Sequence, residues 1–344
     1  MSTLSRRLPS GLTIAEVVLE PLLRSNQPVV PRVIDVGARN GMHLLPTEYC
    51  THAELIAFEP NPEEFAKLQN GQTDAAKAGM VEPKFRSTRY FPYALWNQDG
   101  EAKFYITAGA GACTMMGYTD PVIGNRMYKR FPLTDSRAGH SFLNTFSRVV
   151  EEITVPCKRL DSLLDDGQVI DILKLDVEGG ELSVLQGADA IFSAKRILFV
   201  IAEFQSVPYY QSHPLLCDQH QYLRDKGYRL IGLDLNHAQY LRNPEMLDVI
   251  DDRALLQAGD AIYILDPDTN DLSPIERQRL SAIALNFGFN SLGVSLLREA
   301  GLTPTKVIDQ IVTSLRKPPL RRRLRWAWER FPERFANWLY SLKK

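Results

Sequence analysis

The chain has 344 residues, 44% of them hydrophobic and 24% charged, a composition typical of a globular protein with a sizeable core, which excludes a long disordered chain. No run of eighteen apolar residues occurs, so no transmembrane helix is expected. The net charge is only −1. The four cysteines lack the CxxC spacing of a zinc site, and their scattered positions fit a reducing, cytoplasmic location.

From residue 30 to residue 268, short β-rich runs alternate with helical patterns, which predicts an α/β domain with a mainly parallel sheet. The preceding residues 1–29 are predicted to form a helical segment, in which Glu16 and Glu20 interrupt the apolar run and argue against a signal peptide. The predicted strands are 33–37, 55–59, 90–96, 172–177, 197–204, 228–234 and 260–266. The predicted helices are 62–70, 179–193 and 215–226.

Residues 97–170 are an insertion in this alternation. Within it, "GEAKFYI" and "EITVPCKRL" alternate well enough to form a pair of strands. The Gly- and Ala-rich stretch between them, with the polar residues that follow it, is interpreted as either a lid or a disordered loop. Residues 269–315 are predicted to form a polar, amphipathic helical cap, so that the sheet domain carries a helical C-terminal extension.

The first predicted strand runs into a tight turn, "VIDVGARNG". A dinucleotide site requires G-x-G-x-x-G, but the middle glycine is absent here, since "ARN" separates Gly37 from Gly41. A P-loop is excluded because no Gly-Lys-Ser/Thr follows. Asp35, two residues before the first glycine, suits a ligand with a cationic amino group. This combination favours S-adenosylmethionine over NAD.

The second predicted strand ends in "LIAFEPNP", with Glu59 at its tip. Glu59 lies 22 residues after Gly37, where an acid can accept hydrogen bonds from both hydroxyls of a ribose. Each signal alone is common. In this order and on successive strands, they predict a site for an adenosyl nucleoside.

Two further motifs, "VPCKRLDSLL" and "LKLDVEGGELSVLQGA", lie between residues 155 and 188. Together with "DVGARNG", "AFEPNP" and "ALWNQDGEAKFY", they resemble the FkbM family of S-adenosylmethionine-dependent methyltransferases over about residues 30–205. The resemblance implies a class I methyltransferase (Rossmann-like) fold, a seven-stranded, mostly parallel sheet with the last strand antiparallel. It also implies O-methylation of a hydroxyl, and we expect a glycan, a glycolipid precursor or a similar metabolite as the acceptor.

The cofactor site that we expect lies on the strand ends and turns of these motifs. Its residues are Asp35, Gly37, Ala38, Arg39, Asn40, Gly41, Glu59, Pro60, Asn61, Ala94, Leu95 and Asp176. Arg39 stands where many relatives carry Asn, and we expect it to alter the rim of the site without removing the activity.

Carboxylates near the transferred methyl group are the predicted catalytic residues, because an alkyl hydroxyl is a poor nucleophile while it is protonated. Asp176 closes the fourth predicted strand, Glu178 follows it, and Glu203 ends the fifth, all at the carboxyl edge where α/β sheets bind ligands. Two alternatives stay open. The three carboxylates could hold a divalent metal ion that acidifies the hydroxyl, and any of them could have a purely structural role.

Five further residues are candidates for contacts with the acceptor: His43 after the glycine turn, Lys174 in the fourth strand, and Tyr209, Tyr210 and His213 in "VPYYQSHP". The tyrosines could stack on a sugar ring, and His213 could act as a base or contact a sugar. For the histidines and tyrosines, the alternative is a role in packing or at the surface. For the lysine, the alternatives are a pair with Asp176 or an extended side chain that reaches the edge of the sheet.

The sequence is less consistent with three other functions than with a methyltransferase. An NAD-dependent oxidoreductase or sugar epimerase is disfavoured by the missing glycine and by the lack of a Tyr-x-x-x-Lys pair. A non-catalytic nucleoside-binding scaffold is disfavoured by the retention of Asp35, Glu59 and Asp176. Methylation of nucleic acid is disfavoured because the acidic core would repel a phosphate backbone.

The C-terminal segment 316–344 carries ten Lys and Arg against two Glu, a charge of +8, so that the first 315 residues carry −9. Over 321–344, aromatic and leucine residues recur at spacings of three and four, with most of the arginines off this stripe. One interpretation is an interfacial helix that contacts anionic lipid and places the enzyme at the inner face of the membrane. Packing on the domain and contact with a partner protein are the alternatives.

Overall fold

The computed structural model describes residues 3–24, 28–117, 127–129, 148–164, 167–240 and 255–316. One sheet has eight strands: β1 (Arg32–Val36), β2 (Glu54–Phe58), β3 (Ser87–Phe91), β6 (Met127–Lys129), β8 (Ile170–Leu175), β9 (Ile197–Gln205), β10 (Tyr228–Tyr240) and β11 (Leu255–Leu265). A smaller sheet has three strands: β4 (Ala94–Leu95), β5 (Gly100–Thr107) and β7 (Val149–Lys158).

The strand order of the large sheet is β3-β2-β1-β8-β9-β11-β10-β6. Strands β3, β2, β1, β8 and β9 are parallel, whereas β11 runs antiparallel to its two neighbours, β9 and β10. The predicted class I methyltransferase sheet, with seven strands and the last one antiparallel, is therefore confirmed. The short edge strand β6 adds an eighth strand, which pairs with β10 and which the sequence pattern did not indicate.

The predicted strand over 90–96 is wrong as a single element. Strand β3 ends at Phe91, and after two intervening residues the chain joins the small sheet as β4, which pairs with β7. Pro92 lies at the break, and because proline has no N–H to donate to a ladder, it ends the strand there. The strand pair predicted within the insertion is confirmed, since β5 and β7 pair antiparallel.

The helices of the described chain vary from one turn to more than three. They are Ile14–Leu23, Thr47–Cys50, Pro62–Gln69, Asp74–Lys77, Leu160–Leu163, Glu181–Gly187, Asp189–Ser193, Leu216–Asp225, Pro274–Asn286, Asn290–Ala300 and Thr305–Arg316. Two of the predicted helices, 62–70 and 215–226, are confirmed within a residue at each end. The predicted helix 179–193 is divided into two at Ala188. The residue before this break, Gly187, packs closely on the Trp96 backbone, since a β-carbon there would lie 2.0 Å from the carbonyl oxygen of Trp96.

The C-terminal helices differ from the predicted polar cap. In Pro274–Asn286, every residue from Gln278 onward is buried, because the helix packs between the N-terminal helix Ile14–Leu23 and strands β8 and β9. Apolar side chains of both terminal segments and of the sheet form one hydrophobic core. The proposed division into 1–29, 30–268, 269–315 and 316–344 stays a prediction.

Buried polar side chains of the helix Pro274–Asn286 join it to strand β8 and to the N-terminal helix. Arg279 donates to both carboxylate oxygens of Asp171 in β8, with its Nε 2.9 Å from Oδ1. Gln278 Nε2 donates to the backbone oxygen of Val18 at 2.7 Å and to Thr303 Oγ1 at 2.8 Å. Since a buried charge is stable only when it is paired, these bonds fix the terminal helices against the sheet in one arrangement.

No helix of the described chain is long and apolar enough to cross a bilayer. The predicted interfacial tail lies outside the described residues, as do residues 118–126 and 130–147 of the predicted lid or loop.

Candidate active site

A cavity of about 420 Å³ opens at the carboxyl ends of β1, β2, β8 and β9. This is the edge at which open α/β sheets bind ligands, because the loops that follow parallel strands meet there. The cavity brings together most of the predicted site residues: Gly37, Arg39, Asn40, Gly41, His43, Glu59, Pro60, Ala94, Leu95, Lys174, Asp176, Glu178 and Glu203.

The glycine turn after β1 bends so sharply that only glycine fits. Gly37 and Gly41 have φ angles of 81° and 79°, in the left-handed region that side chains disfavour. A β-carbon on Gly37 would lie 1.8 Å from the backbone oxygen of Asp176, and one on Gly41 would lie 2.6 Å from the Glu82 carboxylate. The backbone N–H groups of Gly37 and Ala38 both donate to Phe58 O at 3.0 Å, which ties the turn to β2.

Glu59 follows β2 and points into the cavity from a buried position, with 5% of its surface exposed. Burial raises the pKa of its carboxyl group to about 7. Its Oε1 accepts from the backbone N–H of Asn61 at 2.8 Å. Asn61 itself lies outside the cavity lining and caps the helix Pro62–Gln69, accepting from the N–H groups of Glu63 and Glu64. Asn61 therefore orients Glu59.

The glycine turn and Glu59 fit the nucleoside part of S-adenosylmethionine. Gly37, Arg39, Asn40 and Gly41 of the turn line the cavity, so a ligand there lies against the turn. The buried carboxylate of Glu59 has hydrogen-bonding capacity toward the cavity, as a ribose diol requires. Arg39 lies at the rim, where its Nε donates to Glu64 Oε2 at 3.0 Å and its Nη2 pairs with Asp74.

Asp35 is placed behind the cavity lining and is fully buried. Its Oδ1 accepts from Lys174 Nζ at 3.2 Å, and the same Nζ lies 3.3 Å from Asp176 Oδ2. Burial alone would lower the pKa of Lys174, but the two carboxylates outweigh it and raise that pKa. Lys174 is therefore a fixed cation, and it holds the Asp176 carboxylate at the cavity wall.

The three predicted catalytic carboxylates converge at one end of the cavity. One oxygen from each of Asp176, Glu178 and Glu203 lies within 4.8 Å of the others. Burial, together with the charges of Glu178 and Asp176, raises the pKa of Glu203 well above its usual range. Such a group can take up a proton from a substrate, and the same spacing would also suit a divalent cation.

Glu181, which follows these residues in the sequence, has a different role. Its Oε1 accepts from the backbone N–H groups of Val177 and Gly179 at 3.0 and 3.3 Å, so that it closes the turn between β8 and the next helix. Burial raises the pKa of Glu181 to about 7.

Glu178 stands in this turn with a left-handed backbone, φ 55°, which is strained for a residue with a side chain. Two hydrogen bonds hold it: Tyr210 Oη donates to Glu178 Oε2 at 2.8 Å, and Thr114 Oγ1 donates to its backbone oxygen at 2.7 Å. The next residue is glycine for a steric reason, because a β-carbon on Gly179 would lie 2.4 Å from the Tyr210 ring.

The remaining predicted acceptor residues are placed differently from one another. Tyr210 and His213 are buried and lie outside the cavity lining, with their rings edge-to-face at 4.8 Å. Burial lowers the pKa of His213 to about 4. Tyr209 is half-buried, also outside the lining. His43 lines the cavity, and its Nε2 lies 2.9 Å from the backbone oxygen of Asn40.

The cavity also has an apolar wall, and none of its residues was among the predicted site residues. The wall consists of Tyr93, Trp96, Phe104, Cys113 and Met115. The ring of Trp96 packs directly on Gly180, where a β-carbon would lie 2.4 Å from the ring. This close contact explains the second glycine of "EGG". The signal for Cys113 and Met115 was the Gly- and Ala-rich stretch, whose small residues let the segment after β5 lie against the cavity.

Comparison with known proteins identifies the family. A family model described as "Methyltransferase FkbM domain" matches residues 35–230. The matched region contains the glycine turn, Glu59 and the three carboxylates. This match favours a methyltransferase over the oxidoreductase and the non-catalytic scaffold. A search of curated protein sequences finds no match.

A search of solved structures finds several methyltransferases at low identity and low TM-score. A precorrin-6y C5,15-methyltransferase from Geobacter metallireducens GS-15 is 10% identical, with a TM-score of 0.31, and the match covers 76% of this chain and 94% of that one. A SAM-dependent methyltransferase from Agrobacterium tumefaciens is 9% identical, with a TM-score of 0.31 and coverage of 74% and 61%. StiE O-MT is 12% identical, with a TM-score of 0.29 and coverage of 81% and 83%.

Proposed function

Since the chain belongs to the FkbM family of S-adenosylmethionine-dependent methyltransferases, we propose that it methylates a hydroxyl oxygen of a glycan, a glycolipid precursor or a similar metabolite. The observation that carries this proposal is the convergence of Asp176, Glu178 and Glu203 at one end of the cavity. A hydroxyl acceptor has to lose a proton during transfer, and these carboxylates can receive it.

S-Adenosylmethionine, when bound, supplies a methyl group on a sulfonium centre as the electrophile. The chain's own task is to orient the acceptor and to remove its proton. Glu203 is the group that we assign to the proton, because burial and the neighbouring acids raise its pKa, so that its carboxylate, in the ionised form, is a stronger base than an ordinary carboxylate. The proton passes from the acceptor hydroxyl to the Glu203 carboxylate.

Asp176 and Glu178 are assigned to positioning of the acceptor. Lys174 holds the Asp176 carboxylate at 3.3 Å, and Tyr210 holds that of Glu178 at 2.8 Å, so both carboxylates are fixed before the acceptor arrives. Fixed acceptors of hydrogen bonds suit a polyhydroxylated molecule such as a sugar. The apolar wall opposite them, with Trp96 and Phe104, would exclude water and pack on the apolar face of a sugar ring.

A divalent cation bound by the same three carboxylates is the alternative way to acidify the hydroxyl. The two mechanisms differ in one observable property. Proton transfer to Glu203 requires no added cation, whereas the metal mechanism is abolished by a chelator and restored by magnesium or manganese. Turnover of the metal-stripped enzyme therefore decides between them.

The test of the proposed function uses methyl-labelled S-adenosylmethionine and glycan and glycolipid fractions from a strain that lacks the protein. We expect the purified protein to add the label to one fraction, and fragmentation in the mass spectrometer to place it on oxygen as a methyl ether. The Glu203→Gln variant is the matched control and should transfer far less label. Label on nitrogen or carbon, or no transfer to any fraction, would contradict the proposal.

A further inference from the structure

Tyr210 contacts the catalytic end of the cavity from behind. Its ring is 4% exposed and packs against Gly179 and His213, so it has no free face on which a sugar could stack. Its hydroxyl group is directed to Glu178 Oε2 at 2.8 Å. This bond links the segment after β9 to the carboxylate group of Glu178.

We infer that Tyr210 is a positioning residue for methyl transfer: its hydroxyl donates to Glu178 and aims that carboxylate at the acceptor. The inference rests on the proposed function, because it assumes that Glu178 contacts the acceptor. It replaces the expected sugar-stacking role of Tyr210 with an action through a second residue.

Backbone strain gives the first reason. Glu178 has φ 55°, which costs about 1–2 kcal/mol for a residue with a side chain, so the turn needs outside support to keep this shape. That support comes from both sides, since Tyr210 binds the side chain and Thr114 Oγ1 binds the backbone oxygen. Without the phenol, the carboxylate would lose the 2.8 Å bond that fixes its direction on this side.

A connection between two segments gives the second reason. The backbone N–H of Gln211 donates to Gly117 O at 2.6 Å, next to the two bonds that reach Glu178. The segment after β5, which supplies Cys113 and Met115 to the apolar wall, is thereby joined to the segment that carries Tyr210. Tyr210 and Thr114 together fix Glu178 relative to this wall, and hence relative to a molecule that lies against it.

Charge gives the third reason. The Glu178 carboxylate shares one end of the cavity with those of Asp176 and Glu203, and one oxygen of each lies within 4.8 Å of the others. Like charges at this distance repel one another, so a donor that binds Glu178 opposes its displacement. The Tyr210 hydroxyl, 2.8 Å from Glu178 Oε2, is such a donor.

The test compares Tyr210→Phe with Tyr222→Phe. Tyr222 is a matched control, because its hydroxyl also donates to a carboxylate at 2.8 Å, that of Asp189, outside the cavity. We expect Tyr210→Phe to lower kcat by about tenfold or more while the Kd of S-adenosylmethionine stays within about twofold. The KM of the acceptor should change less than kcat, because the direction of the carboxylate matters most in the transition state. Tyr222→Phe should leave all three quantities unchanged.

A second measurement needs no acceptor. Crystal structures of the parent and of Tyr210→Phe are compared at the Glu178 carboxylate. We expect this carboxylate to leave its parent position in Tyr210→Phe and to keep it in Tyr222→Phe. Melting temperatures accompany each variant to exclude a general loss of structure.

The outcomes separate the possible failures. An unchanged kcat together with an unmoved Glu178 carboxylate in Tyr210→Phe would overturn the inference, and so would a loss of kcat that accompanies a lower melting temperature without any movement of the carboxylate. If the parent protein methylates no hydroxyl acceptor, the proposed function fails. The position of the Glu178 carboxylate still decides in that case whether Tyr210 controls it.

Discussion

Gly37 and Asp176 lie so close together that a β-carbon on the glycine would stand 1.8 Å from the aspartate's backbone oxygen. The contact joins the ends of β1 and β8, where the backbone N–H of Asp176 also donates to Val36 O at 3.0 Å. Because both partners at the close contact are backbone, no side chain can move aside to make room. The glycine turn and Asp176 are therefore held at a fixed separation.

Gly37→Ala should destabilise the protein by more than its backbone angle alone explains. Gly79 is the matched control, since its φ of 83° is close to the 81° of Gly37 but a β-carbon there would meet nothing within 4 Å. Gly79→Ala should cost about 1 kcal/mol of unfolding free energy, and Gly37→Ala roughly 3 kcal/mol, because the backbone clash is added. Urea unfolding measures both. Equal losses would show that the two strand ends can separate freely.

Glu59→Gln should weaken the binding of S-adenosylmethionine by about ten- to hundredfold, because a hydrogen bond to a charged group contributes about 1.5–3 kcal/mol. Isothermal titration measures the Kd. Glu63→Gln is the control, since Glu63 lies nearby on the first turn of the next helix with 77% of its side chain exposed. Undiminished affinity in Glu59→Gln would mean that the ribose lies elsewhere.

The same carboxyl group predicts a dependence of affinity on pH. The pKa of Glu59 is raised to about 7 by burial, so the free enzyme carries a protonated Glu59 below that pH. As the pH rises through about 7, the carboxylate forms and binding of the ribose hydroxyls should strengthen. In Glu59→Gln this component of the pH dependence should disappear, which is seen by subtracting the two titration series. Parallel curves would contradict the assignment.

The sequence was sufficient for the parts of this site that a local motif defines. Gly37, Gly41 and Glu59 follow strands at fixed offsets, and the edge of a parallel sheet brings such positions together. It was insufficient for Tyr210, which was expected to face a sugar and instead lies behind Glu178. The direction of a loop side chain depends on contacts with Gly179 and Thr114, distant in the chain, and no local pattern contains that information.

If Asp176 positions the acceptor as we propose, Asp176→Asn should lower turnover by about ten- to hundredfold. The melting temperature should stay unchanged, since Asp176 is partly exposed at the cavity wall. The amide is nearly isosteric but uncharged, so it weakens both the contact with Lys174 and that with a hydroxyl. Asp225→Asn, on the exposed side of a distant helix, is the control. Normal turnover in Asp176→Asn would remove this residue from the mechanism.

Glu203→Gln should abolish most turnover, by about a hundredfold or more, and at the same time stabilise the protein at high pH. The folded-state pKa of Glu203 is raised above the model-peptide value of 4.5, so the folded protein binds this proton more tightly than the unfolded chain. Ionisation of Glu203 in the folded protein therefore costs stability. This cost is absent below pH 4.5 and grows as the pH rises toward the folded-state pKa. Melting temperatures of parent and variant should therefore coincide below pH 4.5 and diverge as the pH rises above it. A variant that is less stable at every pH would contradict this account.

The basic C-terminal segment gives a prediction from sequence alone. If residues 321–344 contact anionic lipid, the full-length protein should sediment with anionic liposomes at low salt, and a chain that ends at Lys317 should remain in the supernatant. Salt should reduce the sedimentation because it screens the arginine charges. Liposomes of neutral lipid are the control. Equal behaviour of the two chains would leave the segment without a role at the membrane.

The pairing of Arg279 with Asp171 has a consequence for synthesis on the ribosome. The two residues are 108 positions apart, and β11, the last strand of the described residues, inserts between β9 and β10. Until the helix Pro274–Asn286 has left the ribosomal exit tunnel, the nascent chain has a carboxylate in its future core without a guanidinium, and a sheet with a gap. Folding therefore has to wait until most of the polypeptide has been made, and residues 35–230 produced by themselves should not fold.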